Sequence, residues 1–321
     1  MRTSEPKPHE INRFASVPLI PKFAHGIAAW SCELRNRDTR ARTDPVPNSL
    51  QGVIEQLALA NRILGHENVL DAFGHVSVRH PDDPGRYLMA RSRSPLLVEP
   101  GDILEFTLDS EPLKPPNARL YSERVIHGEI YKARSDVAAI CHHHAPAVMP
   151  FCITGKPIIP VLHLGAAIGE QVPFWDQHDE FGDTNLLVVR PEEGRSLARA
   201  LGGNSVVLMK RHGATVIGAS LRELVSRSIY LCWNAEYQFR AALIGELQPL
   251  HPGEIKLAGA INVRPSAAER TWEYWGARLE ASGLWPPRYK TKASRRRGVK
   301  PARAPARTKS AVAPRRTKRR R

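Results

Sequence analysis

The chain has 321 residues, of which 42% are hydrophobic and 25% charged, so a collagen-like, low-complexity or wholly disordered protein is excluded for most of its length. It carries 47 Lys and Arg against 32 Asp and Glu, a formal net charge of +15. Sixteen of the basic residues and none of the acidic ones lie in residues 288–321, which leaves 31 basic and 32 acidic residues elsewhere. The body is nearly neutral, so the charge does not mark it as a nucleic-acid-binding domain.

This distribution predicts three segments. They are an N-terminal extension over residues 1–47, a folded domain over 48–287 and a basic disordered tail over 288–321. The tail is expected to make only non-specific contacts with nucleic acid or an anionic surface, because the body shows no recognition motif.

The chain opens without the apolar segment of a secretory signal, and no apolar run reaches the roughly 18 residues of a membrane-spanning helix. Its four cysteines show no CxxC spacing: Cys32, Cys141, Cys152 and Cys232. A chain this long does not need disulfides as its framework, which fits a reducing compartment. We predict a soluble, cytoplasmic protein with no membrane span.

Hydrophobic periodicity near 3.6 residues predicts five helices. They begin near Ser49, Ser122, Pro191, Ser220 and Ser266. Gly65 is expected to end the first helix and Gly202 the third, and a capping box from Ser266 to Glu269 is expected to open the last.

Short β-like runs lie before and between these helices. They are 76–78, 87–89, 103–107, 137–141, 157–162, 186–189, 205–208 and 214–217. Strands and helices that alternate under one neutral surface predict a single layered α/β sandwich.

Three consecutive histidines, His142, His143 and His144, close the strand predicted over 137–141. Side chains alternate across a strand, so His142 and His144 share a face, about 6 to 7 Å apart at Cα, while His143 points away. Two imidazoles on one face can converge on one metal ion. The alternative is that these histidines only mark the exit of the strand into solvent.

A third ligand must come from elsewhere in the chain, and His212 is the best-placed candidate because it lies in a turn between two predicted strands. Gly213 follows it and would allow the backbone to approach closely. His75, His127 and His163 compete for this role. Three imidazoles with an open position would make the metal a Lewis acid for substrate oxygens.

Glu123 stands at the start of the helix that leads into the histidine strand. A helix N-terminus stabilises a carboxylate by roughly 0.3 to 1 kcal/mol, so this residue taken alone is explained equally well as a helix-end charge.

Four short motifs follow one another in a fixed order. They are Gly74-His75-Val76-Ser77-Val78-Arg79, Tyr121-Ser122-Glu123 with His127, His142-x-His144, and Arg211-His212-Gly213 followed by Gly218. In order and spacing they resemble the class II aldolase/adducin family over about residues 48–250. The resemblance implies an αβα fold around a mixed, largely antiparallel sheet, commonly a homotetramer. It also implies one divalent metal ion per subunit on His142, His144 and His212, with Glu123 as the acid or base residue.

The substrate positions depart from those of the sugar-phosphate aldolases in this family. Those enzymes bind phosphate with an Asn after the first Gly, a Thr-Gly pair in the next strand turn and Ser-Ser before the Glu. This chain has His75, Ser92-Arg93 and Tyr121-Ser122 instead. Bulky residues replace small ones that let a phosphate approach backbone N–H groups, which disfavours a phosphate substrate.

The segment Arg91-Ser92-Arg93-Ser94-Pro95 offers two guanidinium groups, and a guanidinium binds a carboxylate through two parallel hydrogen bonds. A solvated loop is the alternative. With the strand at 103–106, Tyr230 and Asn234, the segment is similar to the branch of the family that decarboxylates dihydroxylated aromatic acids and carboxylated ring-cleavage products.

We therefore predict a metal-dependent carbon–carbon lyase that decarboxylates an ortho-dihydroxy aromatic carboxylate or a hydroxy-keto ring-cleavage acid. Zinc, manganese, cobalt and iron all suit such a site. A sugar-phosphate aldolase or epimerase of the same family is one alternative, and an iron-dependent oxygenase of an aromatic side chain is another.

The roles follow from this reaction. The predicted catalytic residues are Glu123, His75, His163 and Tyr230, and the predicted substrate-binding residues are Arg91, Ser92, Arg93, Ser122 and Asn234. Glu123 is preferred as the donor of the proton that replaces CO₂, ahead of His75, His163 and water. As an acid near neutral pH it needs a pKa raised by burial. Tyr230 and Asn234, one helical turn apart, are expected either to contact substrate or only to pack.

Overall fold

The computed structural model describes residues 49–287 with the exception of residue 116. The predicted extension over 1–47 and the predicted basic tail over 288–321 lie outside the described residues. Both segments therefore stay predictions.

The described residues form eight α-helices and seven strands. The helices are α1 (Leu50–His66), α2 (Arg124–Ala133), α3 (Met149–Thr154), α4 (Gln177–Phe181), α5 (Pro191–Leu201), α6 (Leu221–Ala242), α7 (Pro252–Asn262) and α8 (Pro265–Ala281). The strands are β1 (His75–Arg79), β2 (Arg86–Ala90), β3 (Ile103–Thr107), β4 (Ala139–His143), β5 (Phe174–Trp175), β6 (Val206–Met209) and β7 (Gly213–Gly218).

All seven strands belong to one sheet, in the order β3-β2-β1-β4-β7-β6-β5. Every neighbouring pair is antiparallel except β5 and β6, which run parallel. The prediction of a mixed, largely antiparallel sheet is confirmed. The strand that carries the histidines, β4, lies at the centre of the sheet.

Two hydrophobic clusters lie on opposite faces of this sheet. In β2, Leu88 belongs to one cluster while Tyr87 and Met89 belong to the other, because successive side chains of a strand point to opposite faces. The first cluster includes side chains of α1, α6 and α8, and the second includes those of α2 and α5. Helices cover both faces, which confirms the predicted αβα sandwich.

The predicted helix starts at Ser49 and Ser220 agree with the structure. Each serine accepts a hydrogen bond from the third residue after it, Ser49 from the N–H of Gly52 (3.3 Å) and Ser220 from the N–H of Glu223 (3.1 Å). Gly202 follows α5 with a φ of 53°, a left-handed conformation that favours glycine at a helix end.

The capping box predicted at Ser266 is wrong. The last helix begins at Pro265, so Ser266 lies inside its first turn, and the carboxylate of Glu269 contacts Arg222. Proline at the first helical position, which needs no N–H partner, is the signal that sets this start. The first helix ends one residue beyond Gly65.

The strand predicted over 157–162 is also wrong, because this segment is irregular. Side-chain amides of α6 take the place of a neighbouring strand. The Ile159 N–H donates to Gln238 Oε1 (3.0 Å) and the Val161 N–H donates to Asn234 Oδ1 (2.9 Å). The prolines at 157 and 160 lack the N–H groups that a strand ladder requires.

The strand predicted over 186–189 is wrong for a related reason. All four of its backbone N–H groups bond to side chains, and two of these are carboxylates: Val188 donates to Glu123 Oε1 (2.9 Å) and Val189 to Glu193 Oε2 (2.9 Å). A local apolar run cannot show that acidic side chains will occupy its donors.

Four short elements were not predicted: α3, α4, α7 and β5. Within α7 only Ile255 and Asn262 are buried, so its apolar pattern is weak. Its signals are Pro252 at the first position and Glu254, whose carboxylate accepts a hydrogen bond from the His251 N–H (2.9 Å).

Among residues 49–287 with their one gap, no helix combines the length and the apolarity needed to cross a membrane. Cys141, Cys152 and Cys232 are buried free thiols, and burial raises the pKa of Cys232 to about 12.

Candidate active site

The end of β4 and the turn before β7 lie side by side. In the antiparallel register of these strands, His142 pairs with Thr215 and His143 with Ala214. Continuing that register brings His144 beside Gly213, and His212 precedes that glycine in the turn. The close approach expected of Gly213 is present.

The rings of His142, His144 and His212 converge. Their centroids are 4.9 Å apart for His142 and His144, 4.9 Å for His142 and His212, and 5.2 Å for His144 and His212. The carboxylate of Glu123 joins them, with Oε1 3.5 Å from His212 Nε2 and Oε2 3.8 Å from His142 Nε2. One ligand atom from each of these four residues lies within 4.8 Å of the others. The structure therefore brings together all four residues that the sequence assigned to the metal and to the acid or base role.

Two further side chains orient the rings. The Asp71 Oδ2 lies 3.2 Å from His144 Nδ1, and the Thr215 Oγ1 lies 3.3 Å from His142 Nδ1. The Nε2 atoms of His142 and His144 then face each other at 3.1 Å. A partner on Nδ1 leaves Nε2 available, and this is how protein groups orient metal-binding histidines.

Glu123 reaches the cluster from the N-terminus of α2 but does not cap that helix with its side chain. Burial alone would raise the pKa of its carboxyl group. Hydrogen bonding to His212, electrostatic interaction with His142 and His212, and the Val188 amide outweigh burial and lower that pKa to about 2. This direction describes an ionised carboxylate, whereas a general acid needs a raised pKa. The role of Glu123 as general acid stays a prediction.

A cavity of about 510 Å³ shares its wall with this cluster. Its lining includes seven of the predicted site residues, which are His75, Ser92, Arg93, Ser122, Glu123, His144 and His212. It also includes Ala72, Phe73, Ser94, Tyr121 and Leu187. A substrate in the cavity would therefore meet three histidines, one guanidinium and the apolar side chains of Ala72, Phe73 and Leu187.

The two predicted carboxylate-binding arginines are already bonded to a carboxylate of the chain. Arg91 Nε and Arg93 Nη1 donate to the two oxygens of the buried Asp102, each at 2.7 Å. Arg93 lines the cavity and Arg91 does not. Asp102 bonds both arginines, so only the position of Arg93 brings a guanidinium to the cavity, and the assignment of either arginine to substrate stays a prediction.

Three other predicted residues lie outside the cavity wall. His163 is exposed in the 3₁₀ helix His163–Ile168, and Tyr230 packs its ring against Trp275 with centroids 5.6 Å apart. Asn234 is fully buried, and its amide bonds to the backbone of Ile159 and Val161. These bonds give Asn234 a place in the packing of the fold, and its contact with substrate stays a prediction.

Sequence reasoning missed Asp71 and Thr215. The Asp71 carboxylate accepts the N–H groups of Phe73 (2.8 Å) and Gly74 (2.9 Å), and an Asp shortly before a Gly is a known turn signal. Its contact with His144, and that of Thr215 with His142, depend on strand register. A single sequence does not reveal that register.

The family model of the Class II Aldolase and Adducin N-terminal domain matches residues 55–239, more than half of the chain. The chain belongs to this family. Decarboxylase tropJ of Talaromyces stipitatus is 33% identical over 245 residues, which cover 70% of this chain and 92% of that protein. The 3,4-dihydroxyphthalate decarboxylase of Arthrobacter keyseri is 27% identical over 198 residues, which cover 57% of this chain and 76% of that protein.

The fold agrees with solved structures of class II aldolases. The L-fuculose 1-phosphate aldolase from Glaciozyma antarctica superposes with a TM-score of 0.63 at 20% identity, and the match covers 74% of this chain and 93% of that one. The predicted family and the prediction of a lyase are confirmed, because the relatives are decarboxylases and aldolases.

Class II aldolases use a divalent metal, and the residues present fit one. The Nε2 atoms of His142 and His144, 3.1 Å apart, cannot be satisfied by one another when both Nδ1 atoms carry the proton. Their lone pairs and the ionised Glu123 instead form a donor set of nitrogen and oxygen typical of zinc, manganese, cobalt or iron.

Proposed function

We propose that this class II aldolase family member is a metal-dependent decarboxylase of an ortho-dihydroxy aromatic carboxylate or a hydroxy-keto ring-cleavage acid. The observation that carries the proposal is the cluster of His142, His144, His212 and Glu123, of which all but His142 line a cavity that also presents Arg93. The similarity to two decarboxylases supports it.

The residues at and beside the cavity are proposed to have separate roles. His142, His144 and His212 would hold the divalent metal, which supplies a Lewis acid for the negative charge that develops on a substrate oxygen. Arg93 keeps one edge of its guanidinium on Asp102 and is proposed to attract the substrate carboxylate with its remaining N–H groups. Phe73 and Leu187 contribute apolar wall that suits the face of a ring.

Loss of CO₂ leaves an electron pair on carbon, which must take up a proton. Among the predicted donors, Glu123 is ionised, His163 lies outside the cavity wall, and His75 is neutral. Water in the cavity is therefore the remaining candidate. Ionised Glu123 suits a role as a ligand or as an acceptor of a substrate proton.

The test is a screen of the purified, zinc- or manganese-loaded full chain for CO₂ release from ortho-dihydroxy benzoates and phthalates. We expect release from at least one acid in the absence of oxygen. Cleavage of a ketose phosphate to dihydroxyacetone phosphate would establish the sugar-phosphate aldolase instead. Turnover that requires iron and oxygen would establish the oxygenase.

We further propose that the subunit assembles as a homotetramer in the cytoplasm. The single chain leaves large apolar side chains in solvent near the end of α6 and on α7, with Leu243 74% and Ile244 89% exposed. Burying such side chains against another copy is favourable. Light scattering that reports a monomer at micromolar concentration would contradict this.

The basic segment 288–321 is proposed to be dispensable for turnover. Deleting it is expected to leave kcat unchanged and to abolish any salt-sensitive retention on DNA or anionic vesicles. A large loss of kcat would contradict this.

A further inference from the structure

A row of hydrogen-bonded side chains runs from the cavity into the interior of the protein. His75 Nδ1 lies 2.7 Å from His127 Nε2, and Ser77 Oγ lies 2.6 Å from His127 Nδ1. Ser77 Oγ also lies 2.8 Å from the Tyr131 hydroxyl. All four side chains are buried, and His75 is the member that lines the cavity.

The protonation states limit how this row can be arranged. Burial lowers the pKa of His127 to about 3, although the charge of Glu123 raises it, so this ring carries a single N–H near pH 7. The His75 Nδ1 and His127 Nε2 atoms, 2.7 Å apart, share one hydrogen, and within the described residues no acceptor meets a second hydrogen on His75 Nε2. Each ring is therefore described with one N–H. With one hydrogen on each ring and hydroxyl, all hydrogen bonds of the row point in the same direction.

The inner end of the row sets that direction. The Tyr131 hydroxyl can donate to the backbone carbonyl of Ala138 at 3.4 Å, and a carbonyl oxygen only accepts. Ser77 then donates to Tyr131, His127 Nδ1–H donates to Ser77, and His75 Nδ1–H donates to His127 Nε2. The reverse arrangement would leave the Tyr131 oxygen without a donor from the row and would place the hydrogen of His75 on Nε2.

We propose that His127, Ser77 and Tyr131 are positioning residues that fix the tautomer of His75, so that its Nε2 accepts a hydrogen bond from a hydroxyl of the substrate. Within the described part of the chain, His75 Nε2 has no hydrogen-bond partner of its own. The substrate class rests on the proposed function, whereas the tautomer does not.

This assignment makes the substrate hydroxyl a specificity determinant. An acceptor at Nε2 favours an O–H group at that point and disfavours its methyl ether, which has no hydrogen to donate. A site built to pair with a hydroxyl discriminates against analogues that lack it, because the buried polar group is then left unpaired.

The tautomer can be measured directly by solid-state NMR on the zinc-loaded full chain labelled with [15N]histidine. The chain has 13 histidines, and His75→Gln identifies the signals of His75 by difference. We expect the wild-type protein to carry the His75 hydrogen on Nδ1. A hydrogen on Nε2 in the wild-type protein would overturn the proposal.

Tyr131→Phe is the informative variant, because Ser77 then has only His127 Nδ1 to receive its hydrogen. The row should reverse, and the His75 hydrogen should move to Nε2. Tyr87→Phe is the matched control: its hydroxyl bonds to Ser110 at 3.1 Å, outside the row. An unchanged His75 tautomer in folded Tyr131→Phe would refute the assignment.

If Tyr131→Phe does not fold, the histidine spectrum of Ser77→Ala is the second measurement. This variant removes the hydroxyl at the centre of the row. Ser77→Thr keeps a hydroxyl there and should give the wild-type spectrum. With an active substrate in hand, Tyr131→Phe should lower kcat/KM for the hydroxyl substrate about three- to tenfold, the value of one hydrogen bond, and should not lower it for a methyl ether analogue, whose oxygen can accept from Nε2–H. An equal loss for both compounds would refute the role toward the hydroxyl. Absence of any CO₂ release would refute the proposed function and leave the tautomer result intact.

Discussion

Gly213 lies so close to His143 that a Cβ at this glycine would stand 2.2 Å from the His143 carbonyl oxygen and 3.0 Å from the Cδ2 of His144. Both distances are at or below the limit of ordinary contact, and the first involves backbone. The absent side chain therefore sets how closely the turn that carries His212 approaches the end of β4.

Gly213→Ala is expected to push this turn away from β4. Overpacking of this kind costs about 1–3 kcal/mol of unfolding free energy, and bound zinc should fall because His212 moves with the turn. Denaturant melts and metal analysis check both effects. Gly203→Ala is the control, because a Cβ there meets nothing within 4 Å. Full zinc occupancy in Gly213→Ala would contradict the expected displacement.

His144→Ala and His212→Ala are expected to abolish bound divalent metal and turnover together, since each removes one nitrogen of the donor set. In the wild-type chain, zinc should raise the Tm in a concentration-dependent way, and a chelator should reverse this. His178→Ala, at an exposed histidine on α4, should behave as the wild type. The metal site is refuted if either variant keeps one metal ion per chain.

Asp71→Asn tests the partner of His144 Nδ1. The amide keeps an oxygen for the N–H groups of Phe73 and Gly74, so the turn should persist. Loss of the charge should weaken zinc binding about 10- to 100-fold, as for other groups that orient metal-binding histidines. Competition with a chromogenic chelator measures this affinity. Asp83→Asn, in a comparable turn with Gly85, should leave it unchanged.

Arg93→Ala and Arg91→Ala form a matched pair, because both guanidinium groups bond to Asp102 and only Arg93 lines the cavity. Arg93→Ala should raise KM for a carboxylate substrate roughly 10- to 100-fold, corresponding to the loss of a charge-assisted hydrogen bond. Arg91→Ala should change KM much less. Steady-state kinetics with both variants decide the matter, and equal effects would mean that the arginines only support the loop.

Asn234→Ala and Gln238→Ala should destabilise the fold without removing metal. Each deletes a side chain that bonds to the backbone of residues 157–161, and unpaired buried groups cost about 1–3 kcal/mol each. Gln51→Ala, on the exposed face of α1, should change the Tm little. A normal Tm with a raised KM in Asn234→Ala would instead indicate that this residue contacts the substrate.

The local sequence pattern was sufficient to predict an element when the signals that define it lie within the element or beside it. Two helices were predictable from their N-cap serines, Ser49 and Ser220, and β4 and β7 were predictable from their apolar runs. Each of these signals consists of residues that are adjacent in the sequence. Residues 157–162 were not, because their hydrogen-bond partners are amides about 80 positions away in α6. A β-like run does not reveal that a helix will take the place of its neighbouring strand.

The candidate site shows the same division. The alternation of side chains along one strand predicts that His142 and His144 share a face. The family resemblance then assigns His212 and Glu123 to the same site. Asp71 and Thr215 could not be found, because their contacts depend on how distant segments align. Periodicity placed Tyr230 and Asn234 on one helix, but it gave no information about which neighbour that part of the helix would meet.

The corner between β6 and β7 fixes the orientation of His212 by its length. Met209 pairs with Gly213, only residues 210–212 lie between them, and Arg211 has a left-handed φ of 57° with its N–H held by the Cys152 carbonyl (2.9 Å). One residue more or fewer would rotate a different side chain toward the cavity even if every histidine were kept. Insertions and deletions at this corner are therefore as damaging as replacement of a ligand, and loop grafts between family members must preserve its span.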